Sequence, residues 1–162
     1  MRFYTFCNFY LSSIQQGIQS AHCLHELFVQ PCRTGDVLAR TMLWDWAQHH
    51  KTIIVLNGGT SADLNEMTIS LGKIARGANI PFASWAEDGP SLNNAATCVG
   101  MIVPAKIYEA AALLRSPETK VLRDGEEYHV FSLSTARVTG EYMLTFAEYM
   151  IAQTISKHGL AH

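Results

Sequence analysis

The spacing of hydrophobic and polar positions predicts strands alternating with helices over residues 1–115. The aromatic-rich segment 3–10 is typical of a buried first strand, and Ser12 and Ser13 follow it as candidate helix caps. A helix is predicted over residues 14–28, and Pro31 is expected to end it. Its apolar face consists of Ile14, Ile18, Ala21, Leu24 and Phe28. Its polar face consists of Gln15, Gln16, Gln19 and Glu26.

Similar patterns continue up to residue 115. The uninterrupted apolar run at 52–56 favours a central strand covered on both faces. Thr60 or Ser61 is expected to cap the helix that follows. The core face of that helix consists of Leu64, Met67, Leu71, Ile74 and Ala78. The other predicted elements are a helix at 36–49 with a stripe of Leu38, Met42 and Trp46, strands at 82–86 and 97–103, and a helix at 104–114.

Residues 116–162 follow a different pattern. The sequence RDGE at 123–126 is a hairpin-turn signal between predicted strands at 120–122 and 128–131. An amphipathic helix is predicted over residues 140–157. We therefore predict an α/β fold in which residues 1–115 form a three-layer α/β/α domain with a four-stranded mixed sheet. Residues 116–162 are predicted to be a C-terminal extension, a hairpin plus a helix, packed on that domain or on a second subunit.

Composition narrows the functional classes. The chain has 162 residues, of which 48% are hydrophobic and 16% charged, which suits one domain with its own core. Twelve basic and 14 acidic residues give a net charge of −2, which excludes a broadly basic nucleic-acid binder. No apolar run reaches the roughly 20 residues that span a bilayer, so no membrane partner is expected. The scattered cysteines Cys7, Cys23, Cys32 and Cys98 favour reduced thiols and a cytoplasmic location.

The loop over residues 87–94 is the richest in candidate ligand-binding groups. Its polar side chains are Glu87, Asp88, Ser91, Asn93 and Asn94. The alternative is a solvated loop in which Ser91 only caps a helix. A functional role is favoured, because loops that follow strands in α/β sheets are where ligands bind.

His22 and His25 lie three residues apart on the first predicted helix, next to Glu26. This spacing suits an acid–base pair or two metal ligands. A structural zinc site takes four ligands and no third is evident nearby, so neither a metal nor a cofactor is expected. The alternative is a packing role for His25 and a hydrogen bond from His22 to a ligand.

The loop of residues 57–61, NGGTS, joins a strand to a helix. Free N–H groups at such a helix start could hold a phosphate, although the loop lacks the Lys-Ser/Thr of a P-loop. A turn whose glycines supply positive φ, followed by a helix cap, accounts for every residue and is favoured.

Four segments occur in an informative order. Residues 17–26 read GIQSAHCLHE, Trp44 or Trp46 precedes the strand at 51–56, residues 87–91 read EDGPS and residues 99–104 read VGMIVP. In this order they resemble the helix motif G-K-x-x-A-Q-x-x-H-A, a tryptophan, the loop D-A-G-x-T and a closing strand ending in G-P. These are features of the type 2 peptidyl-tRNA hydrolases, the archaeal and eukaryotic-type family. Residues 8–17 look like a divergent, phage-encoded branch of it.

The resemblance implies hydrolysis of the ester that joins a peptide to tRNA. It places the family's lysine on Ile18, its glutamine on His22, its loop aspartate on Glu87, and its strand threonine on Thr97 or Cys98. Ile18 can neither activate a water nor stabilise an oxyanion. Catalysis would therefore need His22 or His25 as the base, oriented by Glu87.

Two functions remain open from the sequence. The resemblance implies a peptidyl-tRNA hydrolase-like protein, expected to be a homodimer, that hydrolyses or binds the ester-linked 3′ end of peptidyl-tRNA. The alternative is a non-catalytic protein that sequesters a nucleotide-like small molecule, for a phage-encoded chain a nucleotide immune signal in the host cytoplasm. The candidate catalytic residues are His22, Glu87 and Ser91. The candidate ligand-binding residues are Ser13, Gly17, His25, Asp88, Asn93, Asn94 and Thr97.

Overall fold

The computed structural model describes residues 1–115, 120–123, 126–129 and 144–161, with side chains described except at Ser91 and in the two short ranges. The strands of the main sheet are β1 (Arg2–Cys7), β2 (Ile53–Asn57), β3 (Phe82–Ala86) and β4 (Ala96–Val103). They lie in the order β2-β1-β4-β3. β1 pairs parallel with β2 and antiparallel with β4, which pairs antiparallel with β3.

Helices cover both faces of this sheet. They are α1 (Ser13–Thr34), α2 (Val37–Asp45), α3 (Ser61–Gly77), the single turn α4 (Gly89–Leu92), α5 (Ala105–Arg115) and α6 (Phe146–Lys157). A π-helical turn, Trp46–His50, extends α2. α1 and α2 pack on one face, and α3, α5 and α6 pack on the other. The predicted three-layer α/β/α fold with a four-stranded mixed sheet is confirmed.

The side chains of β1 alternate between the two cores. Phe3 and Cys7 lie in the core beneath α1 and α2, whereas Tyr4 and Phe6 lie in the core beneath α3, α5 and α6. β4 is buried along its whole length. β1 and β4 are therefore the central strands to which both helical layers attach.

Two strand predictions need correction. β1 ends at Cys7, and Phe9 and Tyr10 lie in an exposed turn that the Asn8 side chain closes by accepting a hydrogen bond from the Tyr10 N–H. β2 is an edge strand, not a central one, and Ile53 is 47% exposed. The last residues of the chain cover part of this edge, through hydrogen bonds from Asn57 N–H to the Gly159 carbonyl and from Ala161 N–H to the Val55 carbonyl. Because central and edge strands can both be uninterrupted apolar runs, the run at 52–56 does not distinguish between the two positions.

α1 is rotated away from the predicted orientation, although Leu24 and Phe28 of the predicted apolar face still pack against the core beneath it. Ile14 and Ile18 are 76% and 49% exposed, and Ala21 is exposed with them. The buried positions are Gln16, Gln19, Ser20, Cys23, Leu27 and Pro31. The sheet beneath offers polar partners, since the Ser20 hydroxyl contacts the buried Thr5 hydroxyl at 2.9 Å. Because their hydrogen bonds are satisfied, these polar side chains can be buried.

α1 also runs past Pro31, which was expected to end it. The helix continues to Thr34 and closes at Gly35, whose φ of 73° is left-handed and whose N–H donates to the Pro31 carbonyl. In α2 the buried positions are Ala39 and Leu43, followed by Trp46, while Leu38 of the predicted stripe is 52% exposed.

The loop before α3 is a turn and a helix cap, as predicted. Thr60 caps α3, and the Thr60 N–H in turn donates a hydrogen bond to the Asp63 carboxylate. Gly59 has a φ of 81°, and a Cβ on Gly58 would stand 2.9 Å from the Phe6 backbone. Leu64, Met67 and Leu71 are buried beneath it, as predicted.

The C-terminal region supplies a small sheet and the last helix. β5 (Lys120–Arg123) and β6 (Glu126–His129) pair antiparallel, which confirms the predicted hairpin, although its second strand starts two residues earlier than predicted. α6 begins at Phe146 behind the cap Thr145, six residues later than predicted. Its buried residues are Ile151, Ala152 and Ile155, which join the core with α3 and α5. Asp124, Gly125, Phe131 and residues 140–143 lie outside the described residues.

None of the described helices combines the length and the apolar character needed to cross a bilayer.

A charged pair fixes α6 to α5 and gives the fold a pH dependence. Lys106 contacts the Glu148 carboxylate, which is 10% exposed. Burial raises the pKa of Glu148, but hydrogen bonds from Lys106 and Thr145 outweigh it and hold the pKa below its ordinary value. Such a group stabilises the fold above its ordinary pKa and loses this contribution as the pH falls through the folded value.

We expect Glu148→Gln to lower the free energy of unfolding at neutral pH by about 1.5–3 kcal/mol, the range for a hydrogen bond to a charged group. The difference from wild type should shrink as the pH falls through the folded-state pKa of Glu148, because the wild-type carboxylate is then protonated. Urea unfolding at a series of pH values from neutral to acid measures it. Glu66→Gln, on an exposed side chain of α3, is the control. A difference in unfolding free energy that does not change with pH would contradict the role given to the charged Glu148 carboxylate.

Candidate functional site

A chain of side-chain hydrogen bonds joins α1 to the end of the sheet where β3 stops and β4 starts. The Gln19 amide donates to a Glu87 carboxylate oxygen at 2.6 Å. The Thr97 hydroxyl donates to the Gln19 amide oxygen at 2.9 Å. Gln19 and Thr97 are 6% and 1% exposed, and Glu87 is half-buried. The three residues therefore form one connected polar unit at the edge of the α1 core.

The chemistry of these groups fixes the direction of each bond. The Glu87 carboxylate can only accept, so the NH₂ end of the Gln19 amide must face it. The amide oxygen then faces Thr97, whose hydroxyl has a single proton to donate. The Trp85 carbonyl lies further from that hydroxyl, at 3.4 Å. The unit is satisfied only with Gln19 in this orientation.

His22 lies one turn further along α1 and stacks on Trp85. The two rings are nearly parallel, at 11°, with centroids 4.8 Å apart. His22 is exposed, and Trp85 is partly exposed. The indole Nε1 of Trp85 is buried and meets no hydrogen-bond acceptor among the described residues. This stack borders the Gln19–Glu87 contact, because Gln19 and His22 share a helix face and Glu87 follows Trp85 by two residues.

The loop after β3 contains the remaining acidic and amide candidates. It is closed by the Glu87 N–H, which bonds to the Ala95 carbonyl at 3.1 Å. Asn93 and Asn94 have left-handed φ values of 52° and 58°, and both are exposed, as is Asp88. Asparagine tolerates this backbone conformation better than most residues, so a backbone role accounts for both positions. The side chain of Ser91 lies outside the described residues.

The structure brings together part of the predicted site. His22, Glu87 and Thr97 lie on adjoining elements at one end of the sheet, linked through Trp85 and Gln19. The other candidates on α1 are exposed residues at its start or beyond His22, namely Ser13, Gly17 and His25. Ser12, not Ser13, caps the helix.

Gln19 is the site residue that sequence reasoning missed, because it was assigned to the solvent-facing side of α1. The signal that could have found it is its spacing from His22, since residues three apart on a helix share a face.

Neutral thiols lie directly beneath the site. Cys7 and Cys98 are opposite each other on β1 and β4, with sulfur atoms 3.5 Å apart. The Cys98 thiol, followed by burial, raises the pKa of Cys7. The neighbouring Cys23 thiol and burial likewise raise the pKa of Cys98, despite the opposing Cys7 bond. Both thiols stay protonated, so they serve as packing groups and not as nucleophiles.

The site has an acidic rather than a basic character. Each of the four ion pairs within the described ranges, 1–115 and 144–161 among them, uses residues outside it. Within those same ranges no group of His, Cys, Asp and Glu is arranged to hold a metal ion. The arrangement offers hydrogen-bond acceptors, flat aromatic surfaces and the Glu87 carboxylate, which has the chemistry of a base.

No known protein-family model matches this chain. A comparison with curated proteins likewise yields no significant match.

We expect Gln19→Ala to lower the free energy of unfolding by about 1–3 kcal/mol, because it leaves Glu87 and Thr97 without their partner. The exposed Gln30→Ala on the same helix should cost less than about 0.5 kcal/mol. Urea unfolding measures both variants. Equal losses would mean that the Gln19 bonds contribute nothing beyond those of a surface side chain.

Proposed function

We propose that the surface formed by α1, the end of β3 and the 87–94 loop binds the ester-linked 3′ end of peptidyl-tRNA, as part of a protein similar to the type 2 peptidyl-tRNA hydrolases. The observation that carries this proposal is the Thr97–Gln19–Glu87 unit. It links the three elements on which the resemblance places the family's functional residues: the first helix, the acidic loop and the closing strand. The region at the ends of the strands is where α/β folds commonly bind ligands.

Binding is better supported than efficient hydrolysis. Ester cleavage needs a base to activate water and a group to stabilise the oxyanion. Glu87 is suited to accept a proton from water, held in place by Gln19. The family's lysine has no cationic counterpart here. The motif places it on Ile18, or on Gln15 if the motif's glutamine is set on Gln19 and its histidine on His22. We therefore propose that the protein holds the ester and cleaves it slowly or not at all.

A second candidate is favoured by the same lack of positive charge. Intact tRNA binding draws on cationic side chains that replace counterions on phosphates. With a net charge of −2 and no cation in the site's described contacts, the site is also suited to a small nucleotide-like molecule. The function would then be sequestration of a nucleotide-derived signal, an anti-defence role for a phage-encoded chain.

The two candidates differ in what remains bound and what is released. We expect an N-acetylated aminoacyl-tRNA to bind more tightly than the same tRNA without its aminoacyl group, because the site contacts the ester. Glu87→Gln should keep the shape of the site and abolish any residual cleavage. Filter binding and an acid-precipitation assay of the released amino acid measure these effects. Equal binding of both tRNAs, with a nucleotide released on heat denaturation, would favour sequestration.

Restoring a cation tests whether the rest of a hydrolytic site is present. Gln15 lies four residues before Gln19 and so on the same helix face, whereas Ile18, one residue before Gln19, lies about 100° away around the helix. Both side chains are exposed, and Gln15 also forms the capping box of α1 with Ser12. We expect Gln15→Lys to raise the cleavage rate at least about tenfold, a small part of what general acid–base catalysis contributes. Ile18→Lys is the matched control and should leave the rate unchanged. A gain confined to Ile18→Lys would show that the first alignment is correct, and no gain in either would show that Glu87 does not activate water.

A further inference from the structure

We infer that Trp85 is the surface on which the base of a bound nucleotide stacks, and that the His22 ring occupies this surface in the free protein. The inference deepens the proposed function, on which it rests, by naming the part of the ligand that the site recognises. The geometry behind it is the His22–Trp85 stack at the rim of the Gln19–Glu87 contact.

The stack shows that Trp85 accepts a flat heteroaromatic ring on its outer face. Imidazole and indole lie 4.8 Å apart at 11°, a nearly parallel arrangement. Isolated aromatic pairs prefer offset or edge-to-face contacts, and parallel stacking is also how nucleobases lie on aromatic side chains. An imidazole resembles the five-membered ring of a purine. His22 thus occupies the position that a purine of the ligand would take.

His22 is able to leave this position at low cost. It is exposed, and no hydrogen bond holds its ring within the described part of the chain. Exposed side chains change rotamer on the picosecond to nanosecond timescale. Trp85, by contrast, is held in β3, where it pairs with Cys98 of β4. The base of a bound nucleotide would therefore displace the mobile His22 ring from the fixed Trp85 ring.

The indole N–H is a second, independent observation. A buried donor without a partner costs about 1–3 kcal/mol, so the ring that carries the stack also holds an unsatisfied donor. A ribose or phosphate oxygen that reaches the edge of the indole would satisfy it. Base stacking and this bond together require a nucleotide, in contrast to a peptide or a simple ester.

The experiment measures binding of adenosine 5′-monophosphate and of ribose 5-phosphate by calorimetry. We expect the nucleotide to bind and the sugar phosphate, which has no base, to bind at least about tenfold more weakly. Trp85→Leu should weaken nucleotide binding about 5–150-fold, the equivalent of 1–3 kcal/mol of base stacking. Trp85→Phe, which keeps a ring but loses the N–H, should give an intermediate affinity. His22→Ala should bind as tightly as wild type or several-fold more tightly, because no ring has to be displaced.

Trp44→Phe is the control, because this tryptophan of α2 is exposed and the substitution should not change the affinity. Thermal unfolding identifies variants that fail to fold. Unchanged affinity in Trp85→Leu, or a loss in His22→Ala as large as in Trp85→Leu, would overturn the inference. If peptidyl-tRNA binds independently of Trp85, the proposed function survives and the inference fails. If the nucleotide alone binds, and depends on Trp85, the inference survives and tRNA binding fails.

Discussion

A buried amide needs partners for both of its ends, and the Gln19 side chain finds them on two different elements of the sheet. Its NH₂ group bonds to Glu87 and its oxygen accepts from Thr97. Losing either bond leaves a buried polar group unsatisfied, which costs more than the bond itself contributes. This constraint fixes the rotation of α1 about its axis. It also determines that the polar side of the helix faces the sheet and that Ile14 and Ile18 face outward.

The same rotation of α1 positions the side chains of the candidate site. With Gln19 inward, His22 comes to lie one turn away over Trp85, and the loop acid Glu87 is held beside them. The protonated thiols below keep the floor of the site neutral. The result is a site that offers an oriented carboxylate and an aromatic surface, with no cation among its described contacts, and this supports the proposed binding of a nucleotide-bearing ligand over rapid ester cleavage.

Most of the elements could be predicted from the sequence, because their signals are local. Thr60 and its partner Asp63 mark the start of α3, and β3 and β4 have the predicted extents to within one residue. The orientation of α1 could not be predicted from its apolar periodicity. The face that α1 buries depends on Thr5 and Thr97 in the sheet. Thr5 is 15 residues from its partner Ser20, and Thr97 is 78 residues from its partner Gln19. Whether β2 is central or at an edge is likewise a property of the whole sheet.

The central claim is that the Gln19 amide links Thr97 to Glu87, and nuclear magnetic resonance of that side-chain NH₂ group tests it most directly. The account predicts two separated amide proton signals that exchange slowly with water. Replacing Glu87 with Ala should move these signals and speed their exchange, because the NH₂ group then loses its acceptor. Rapidly exchanging signals at the positions of a free glutamine, insensitive to Glu87, would contradict the account.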